Sequence, residues 1–168
     1  AADKWIDVLG MVNLDRHSVR GSWKREGQSL RVLGESFARV VIPVRPRGSY
    51  EVKAKLTRVN NTPGVNLFLP VGDGIAMFAI GRDKQYLQCL PSSDAEALAR
   101  SDEQISIYAK VLVKGTEGEL LVDVDDKPVI HWSGVAAAIP RRFDWLLLPP
   151  SLGIGAHDGE GVFHEVQL

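Results

Sequence analysis

The sequence is short of several things, and each absence narrows the field. Of its 168 residues one is a cysteine. Cys89 therefore has no internal disulfide partner, which excludes a small fold held together by bridges. It sits in the strand-like run Tyr86-Leu87-Gln88-Cys89-Leu90 and reads as a buried, inert thiol. The electropositive, open setting that activates a catalytic thiol is missing around it. No apolar stretch approaches the ~20 residues of a membrane span, so membrane insertion is not expected. No leader pattern stands at the start; Ala1-Ala2-Asp3 fits either the residue of signal cleavage or a domain boundary. Charge of one sign is also lacking, since 20 Lys and Arg against 21 Asp and Glu leave a net charge of −1. Phosphate backbones demand clustered Lys and Arg. The nearest approaches, Arg45-Pro46-Arg47 and Arg141-Arg142, read as solvated loops, so no nucleic-acid partner is expected.

What is present is ordinary in bulk and ordered in detail. The chain is 45% hydrophobic and 24% charged, which argues against disorder and against a coiled coil. Neither an internal repeat nor a linker divides it, so residues 1–168 read as one domain. Period-two alternation dominates. Tyr50, Val52, Ala54 and Leu56 alternate with Glu51, Lys53, Lys55 and Thr57. The same pattern runs through residues 105–114 and 120–125, and it predicts half-buried antiparallel strands. Turn residues separate the runs: Glu26-Gly27-Gln28, Asn60-Asn61-Thr62-Pro63-Gly64, Gly72-Asp73-Gly74 and Asp125-Asp126-Lys127-Pro128. About twelve strands at this spacing predict an all-β, two-sheet antiparallel sandwich. One short helical connection is expected over Ser93–Arg100, where Ser93 and Glu96 have capping-box spacing. Residues 136–150 are irregular, and Pro140, Pro149 and Pro150 disfavour a central strand there.

Three stretches carry a family resemblance. Gly21-Ser22-Trp23, followed by Gly27 and Leu30, resembles the opening hairpin of concanavalin-like bacterial domains. The run from Val122 through Asp125-Asp126-Lys127 to Val129 is similar to their late hairpin. Leu152-Gly153-Ile154-Gly155-Ala156-His157 with Gly161-Val162-Phe163-His164-Glu165-Val166 resembles their closing strands. The pattern is similar to the 3-keto-disaccharide hydrolase-like family and to laminin-G-like domains. It implies a concanavalin-like jelly roll, and an extracellular, periplasmic or envelope location. Phe163, Val166 and Leu168 cannot all face inward on a regular strand, so a bulge is expected near His164-Glu165. The middle-strand motif of the hydrolase-like members is matched only in part by residues 60–67.

Fold does not fix function, so the candidate residues are weighed directly. Glu119, Asp123 and Asp125 share parity and would project from one strand face. Asp123 and Asp125 are the candidate catalytic pair, because retaining glycosidases use two carboxyls about 5 Å apart. Against this, Asp is a common turn residue and Lys127-Pro128 follows. A structural Ca²⁺ would draw on Asp73, Asp83 and Asp158 in Gly-rich loops, although the ordered acidic ladder is absent. No other cofactor is implied. The four histidines lack metal-site spacing, and no nucleophile elbow or phosphate loop is present.

Sugar recognition needs flat aromatic rings for apolar sugar faces and planar polar side chains for hydroxyls. Asn66 and Phe68 share one face of their strand, and Tyr86 and Gln88 share one face of theirs, with Gln85 adjacent. Arg82 stands at the entrance of that second strand. Arg58 and Asn60 close the long strand, and Trp132 and Trp145 lie near later strand ends. With strands ordered as in the resembled domains, these residues form a polar-aromatic patch for a polysaccharide or glycan. The reading is thus a non-catalytic carbohydrate-binding module. The alternatives are a sugar-active hydrolase of the keto-disaccharide type, and a structural or protein-interaction domain of a longer envelope-associated chain. Phe68 and Trp132 as plain core residues stand against the patch.

Overall fold

A computed structural model describes residues 4–82, 84–88, 90, 95–96, 101–141, 147 and 149–168. The expected sandwich is there: two antiparallel sheets, each of seven strands among the described residues. The first sheet runs β1 (Ser18–Arg20), β4 (Ala38–Val41), β13 (Gly153–Ala156), β6 (Gly64–Val71), β7 (Gly74–Gly81), β8 (Lys84–Gln88) and β9 (Ala95–Glu96). The second runs β12 (Lys127–Val135), β11 (Glu117–Val124), β10 (Gln104–Lys114), β5 (Tyr50–Val59), β14 (Gly159–Gln167), β3 (Ser29–Glu35) and β2 (Ser22–Glu26).

The alternation read from the sequence decides which side of each strand is dry. In β5, Val52, Ala54 and Leu56 are buried while Lys53 and Lys55 are exposed. In β10, Ile105, Ile107, Ala109 and Val111 face the same core. The first sheet answers with Val40, Val65, Leu67, Leu69, Phe78, Ile80, Leu87 and Ile154, and the two inner faces form one continuous cluster. Buried side chains of this size each contribute roughly 1.5–3 kcal/mol. The Tyr50 hydroxyl of β5 donates to the Pro70 carbonyl of β6, tying one sheet to the other.

The late hairpin turns on Asp125 and Asp126, at φ +49° and +64°, as a two-residue turn matched to strand twist requires. The expected bulge is also present. Between β14 and β5 the register shifts from Phe163↔Leu56 to Glu165↔Lys55. His164 is the extra residue, and the shift lets both Phe163 and Val166 be fully buried.

The helical connection expected over Ser93–Arg100 is corrected. Ala95 and Glu96 pair with Gln85 and Lys84 as strand β9, and the rest of that segment lies outside the described residues. Pairing to a free sheet edge outweighs helix propensity in so short a run. Short helical turns occur elsewhere, at Leu9–Met11, Leu14–His17 and Ala136–Ala138. The Asn13 side chain caps the second by accepting from the Asp15 N–H. Among the described residues, no helix is long and apolar enough to cross a membrane. Cys89 lies outside the described residues.

Candidate functional site

The outer face of the first sheet is not simply solvated. One end is covered: Leu147 packs on Phe68 and Ile75, and the Ile75 N–H donates to the Pro140 carbonyl. At the other end the face is open, and a cavity of about 220 Å³ lies there.

Two cross-strand rows build this cavity. The first reads Arg39, Gly155, Asn66, Ala79 and Tyr86 across β4, β13, β6, β7 and β8. The second reads Val41, Gly153, Phe68, Met77 and Gln88 on the same strands. In the first row large polar or aromatic side chains alternate with glycine and alanine, which leaves the depression. A Cβ added at Gly155 would lie 2.6 Å from the Ala38 carbonyl oxygen and 3.0 Å from Phe68 Cε2. Glycine there lets the Phe68 ring form the floor. Phe68 is only 1% exposed, so it offers an edge rather than a stacking face.

The rim comes from two turns that the sequence reading missed. Phe37 ends the turn between β3 and β4, and His157 follows β13. Their ring centroids are 4.7 Å apart. Phe37 has φ +56° and is 45% exposed. All other non-glycine residues at positive φ, among those described, are Asn or Asp, which tolerate that conformation. A bulky aromatic held there carries backbone strain, and its ring is left partly in water at the mouth of the cavity. The Arg39 and Arg20 guanidinium carbons lie 5.7 and 5.8 Å from its centroid. On the opposite rim the Lys84 ammonium lies 5.3 Å from the Tyr86 ring centroid.

Of the residues proposed from the sequence, Asn66, Phe68, Tyr86 and Gln88 thus meet in one cavity. The others do not. Gln85 is on the opposite side of β8 from Tyr86, buried with Leu87 and paired with Ile80. Arg58 belongs to the second sheet and faces inward at 1% exposure. Its Nη1 donates to Asn61 Oδ1 at 2.9 Å and to the Thr62 carbonyl at 2.8 Å. Arg82 Nε donates to the Asn61 carbonyl, and the Asn60 N–H donates to Asp102 Oδ1. These three therefore build the turn between β5 and β6. The Asn60 N–H, then the Ser101 hydroxyl, hold the Asp102 carboxyl below its ordinary pKa. Trp132 is 5% exposed inside the core, its ring within 3.3 and 3.1 Å of where Gly118 and Gly134 would carry a Cβ. Strand parity alone could have excluded Gln85 and Trp132. Trp145 lies outside the described residues.

The candidate carboxylates Asp123 and Asp125 fall on a strand and a turn. Asp123 is on β11, in the second sheet, but Asp125 has left the strand for the turn. Its Oδ1 accepts the Ser106 N–H at 3.0 Å, so it serves the hairpin. Glu119 accepts from His131 at 2.8 Å. The candidate calcium ligands do not converge. Asp73 adjoins the β6–β7 turn, where it pairs with Arg141 at 2.9 Å. Asp158 lies beyond Ala156, which is paired with Val65 at the other end of β6. Six residues of strand, roughly 20 Å, separate the two ends. Asp83 lies outside the described residues, and no cluster of three ligating side chains occurs among those that are described.

No family model matches the sequence, and no curated protein matches it. Solved structures match the fold. A carbohydrate-binding module, CBM66, from Bacillus subtilis superposes with a TM-score of 0.63 at 10% identity, over 89% of this chain and 91% of that one. The architecture is therefore a concanavalin-like β-sandwich. The seed lectin of Lotus tetragonolobus gives 0.61 at 8% identity, over 98% and 96% of the two chains. Peanut lectin gives 0.60 at 8% identity, over 88% of each.

Proposed function

We propose that this chain is a non-catalytic glycan-binding module that takes a saccharide in the cavity on the outer face of the first sheet. The observation that carries the reading is the cavity itself. It sets the exposed ring of Phe37 and the half-buried ring of Tyr86 around the planar polar groups of Arg39, Asn66 and Gln88. Aromatic rings with polar partners are what a pyranose, apolar on one face and hydroxylated at its edge, requires. A preformed concave site with few convergent polar groups is the general form of a ligand site. Three proteins of the same fold, described as a carbohydrate-binding module and as lectins, support the reading. The engagement of Asp125 in its turn supports binding over hydrolysis. Such a module works where polysaccharide is met, outside the cytoplasm or in the envelope, alongside other domains of a longer chain.

The test is a panel of soluble and insoluble polysaccharides, with and without calcium, read by pull-down, thermal shift and released reducing ends. Retention by one glycan class without sugar release is expected. Tyr86→Ala should weaken that binding by about tenfold, or 1.4 kcal/mol, with little change in Tm. Failure to retain any glycan sinks the reading in favour of a protein partner, and sugar release would make the chain an enzyme.

A further inference from the structure

The cavity holds a buried amide with nothing to bond. Asn66 lines the cavity and is 7% exposed, and among the described residues its side chain makes no hydrogen bond. Its surroundings show why. Along the row its neighbours are Gly155 of β13 and Ala79 of β7. Along its own strand the next residue on that face is Phe68, and Met77, the register partner of Phe68, stands on the diagonal. None of these four brings a strong side-chain donor or acceptor. An amide carries two N–H donors and an acceptor oxygen, and burying it without partners is costly. Because Asn66 lines the cavity, a partner reaches it from there.

Beside the amide the lining is apolar. Phe68, Ile75 and Leu147 form one buried cluster, and half-buried Met77 packs against it. Phe68 and Met77 both line the cavity. Residues two apart on a strand are separated by about 6–7 Å, so one small group can touch the Asn66 amide and the Phe68–Met77 edge together. That group has to donate, accept and bring apolar surface. A sugar hydroxyl donates and accepts but lays no apolar atom on the floor. An acetamido group meets all three needs: its N–H donates to an amide oxygen, its carbonyl accepts from an amide N–H, and its methyl covers apolar surface. Gln88, in the row of Met77, and the Tyr86 ring stand further along the cavity, placed for the sugar ring that carries the group.

We infer that the ligand of this cavity is an N-acetylated amino sugar of a glycan, its acetamido group paired with the Asn66 amide and its methyl seated on Phe68 and Met77. The inference rests on the glycan-binding reading above and specifies its ligand class. It is tested by calorimetry on the intact chain with matched pairs of neutral sugars, so that charge plays no part in the comparison. One pair is tri-N-acetylchitotriose and cellotriose, which share a backbone and differ in having acetamido or hydroxyl beside the linkage carbon. The other is the methyl glycosides of N-acetylgalactosamine and galactose, which differ in the same way.

The expected result is that the acetylated member of at least one pair binds about tenfold or more tightly than its hydroxyl counterpart. Which pair shows the gap identifies the configuration of the sugar. Asn66→Leu, close in size, should abolish the gap, and the free chain has no hydrogen bond to lose by it. Should that variant fail to fold, Met77→Ala is the second probe, with a loss of about threefold confined to the acetylated member. Equal binding within both pairs, a preference for the hydroxyl sugar, or a gap that survives these substitutions overturns this inference. The glycan reading then stands or falls by the polysaccharide panel above. Binding to neither pair by a chain that the panel retains overturns the inference alone, and failure in both experiments overturns both.

Discussion

Phe37 and His157 meet ring to ring at the mouth of the cavity, 4.7 Å between centroids, although each comes from a turn rather than a strand. Phe37 sits at φ +56° in the turn between β3 and β4, where a bulky side chain costs roughly 1–2 kcal/mol. Glycine at that position would relieve the strain and at the same time remove the ring. Phe37→Gly is therefore expected to keep or slightly raise Tm and to lower glycan affinity by about tenfold. Thermal melts paired with calorimetry separate the two effects. A large fall in Tm with unchanged affinity would make Phe37 a structural plug of the turn instead of part of the site.

Trp132 is predicted to behave in the opposite way. Its ring lies in the core, over the two positions left open by Gly118 and Gly134. Trp132→Ala should cost about 3–5 kcal/mol. For a chain of this length that is a fall of roughly 6–20 °C in Tm. Affinity of the folded fraction for glycan should be unchanged, because the cavity is on the outer side of the other sheet. Loss of affinity in a variant that remains folded would return Trp132 to the binding surface.

The contrast between Phe37 and Trp132 shows what the sequence could and could not convey. Alternation determines which side of a strand is dry, so the strands, the late hairpin and the bulge at His164 were legible from residue order alone. The same alternation put Asn66 with Phe68 and Tyr86 with Gln88, and both pairs line the cavity. Applied strictly, it also sets Gln85 opposite Tyr86, and Trp132 with Ile130 on a buried face. Trp132 was instead drawn to the patch by its residue type and Gln85 by its nearness to Tyr86. Contributions across sheets and from turns were out of reach. Arg39 becomes a neighbour of Asn66 only because β13, more than a hundred residues later in the chain, inserts between β4 and β6. Phe37 and His157 come from turns whose positions depend on that same insertion. Arg58, read as a ligand residue from its place beside Asn60 at the end of the long strand, is buried and holds the Asn61-Thr62 turn.

The bulge in β14 carries a pH consequence. It seats His164 between two hydroxyls, with Thr57 Oγ1 2.8 Å from Nε2 and Ser29 Oγ 3.4 Å from Nδ1. Partial burial, and then the nearby Arg31 charge, push the imidazole pKa below its ordinary 6.5. The folded chain therefore binds fewer protons at this site than the unfolded chain does, between the folded value and 6.5. Stability from this group is fully present above pH 6.5 and declines as pH falls toward the folded pKa, below which the loss is complete. His164→Gln removes the titration while keeping a side chain that can reach a hydroxyl. Wild type should exceed this variant in Tm at pH 7.5, and the difference should narrow steadily down to pH 5. Melts at half-unit steps give the comparison, and because both proteins share every other titrating group, carboxylate protonation cancels in the difference. A gap that stays constant across the range, or widens in acid, would mean that the imidazole is at least as readily protonated in the folded chain as in the unfolded one.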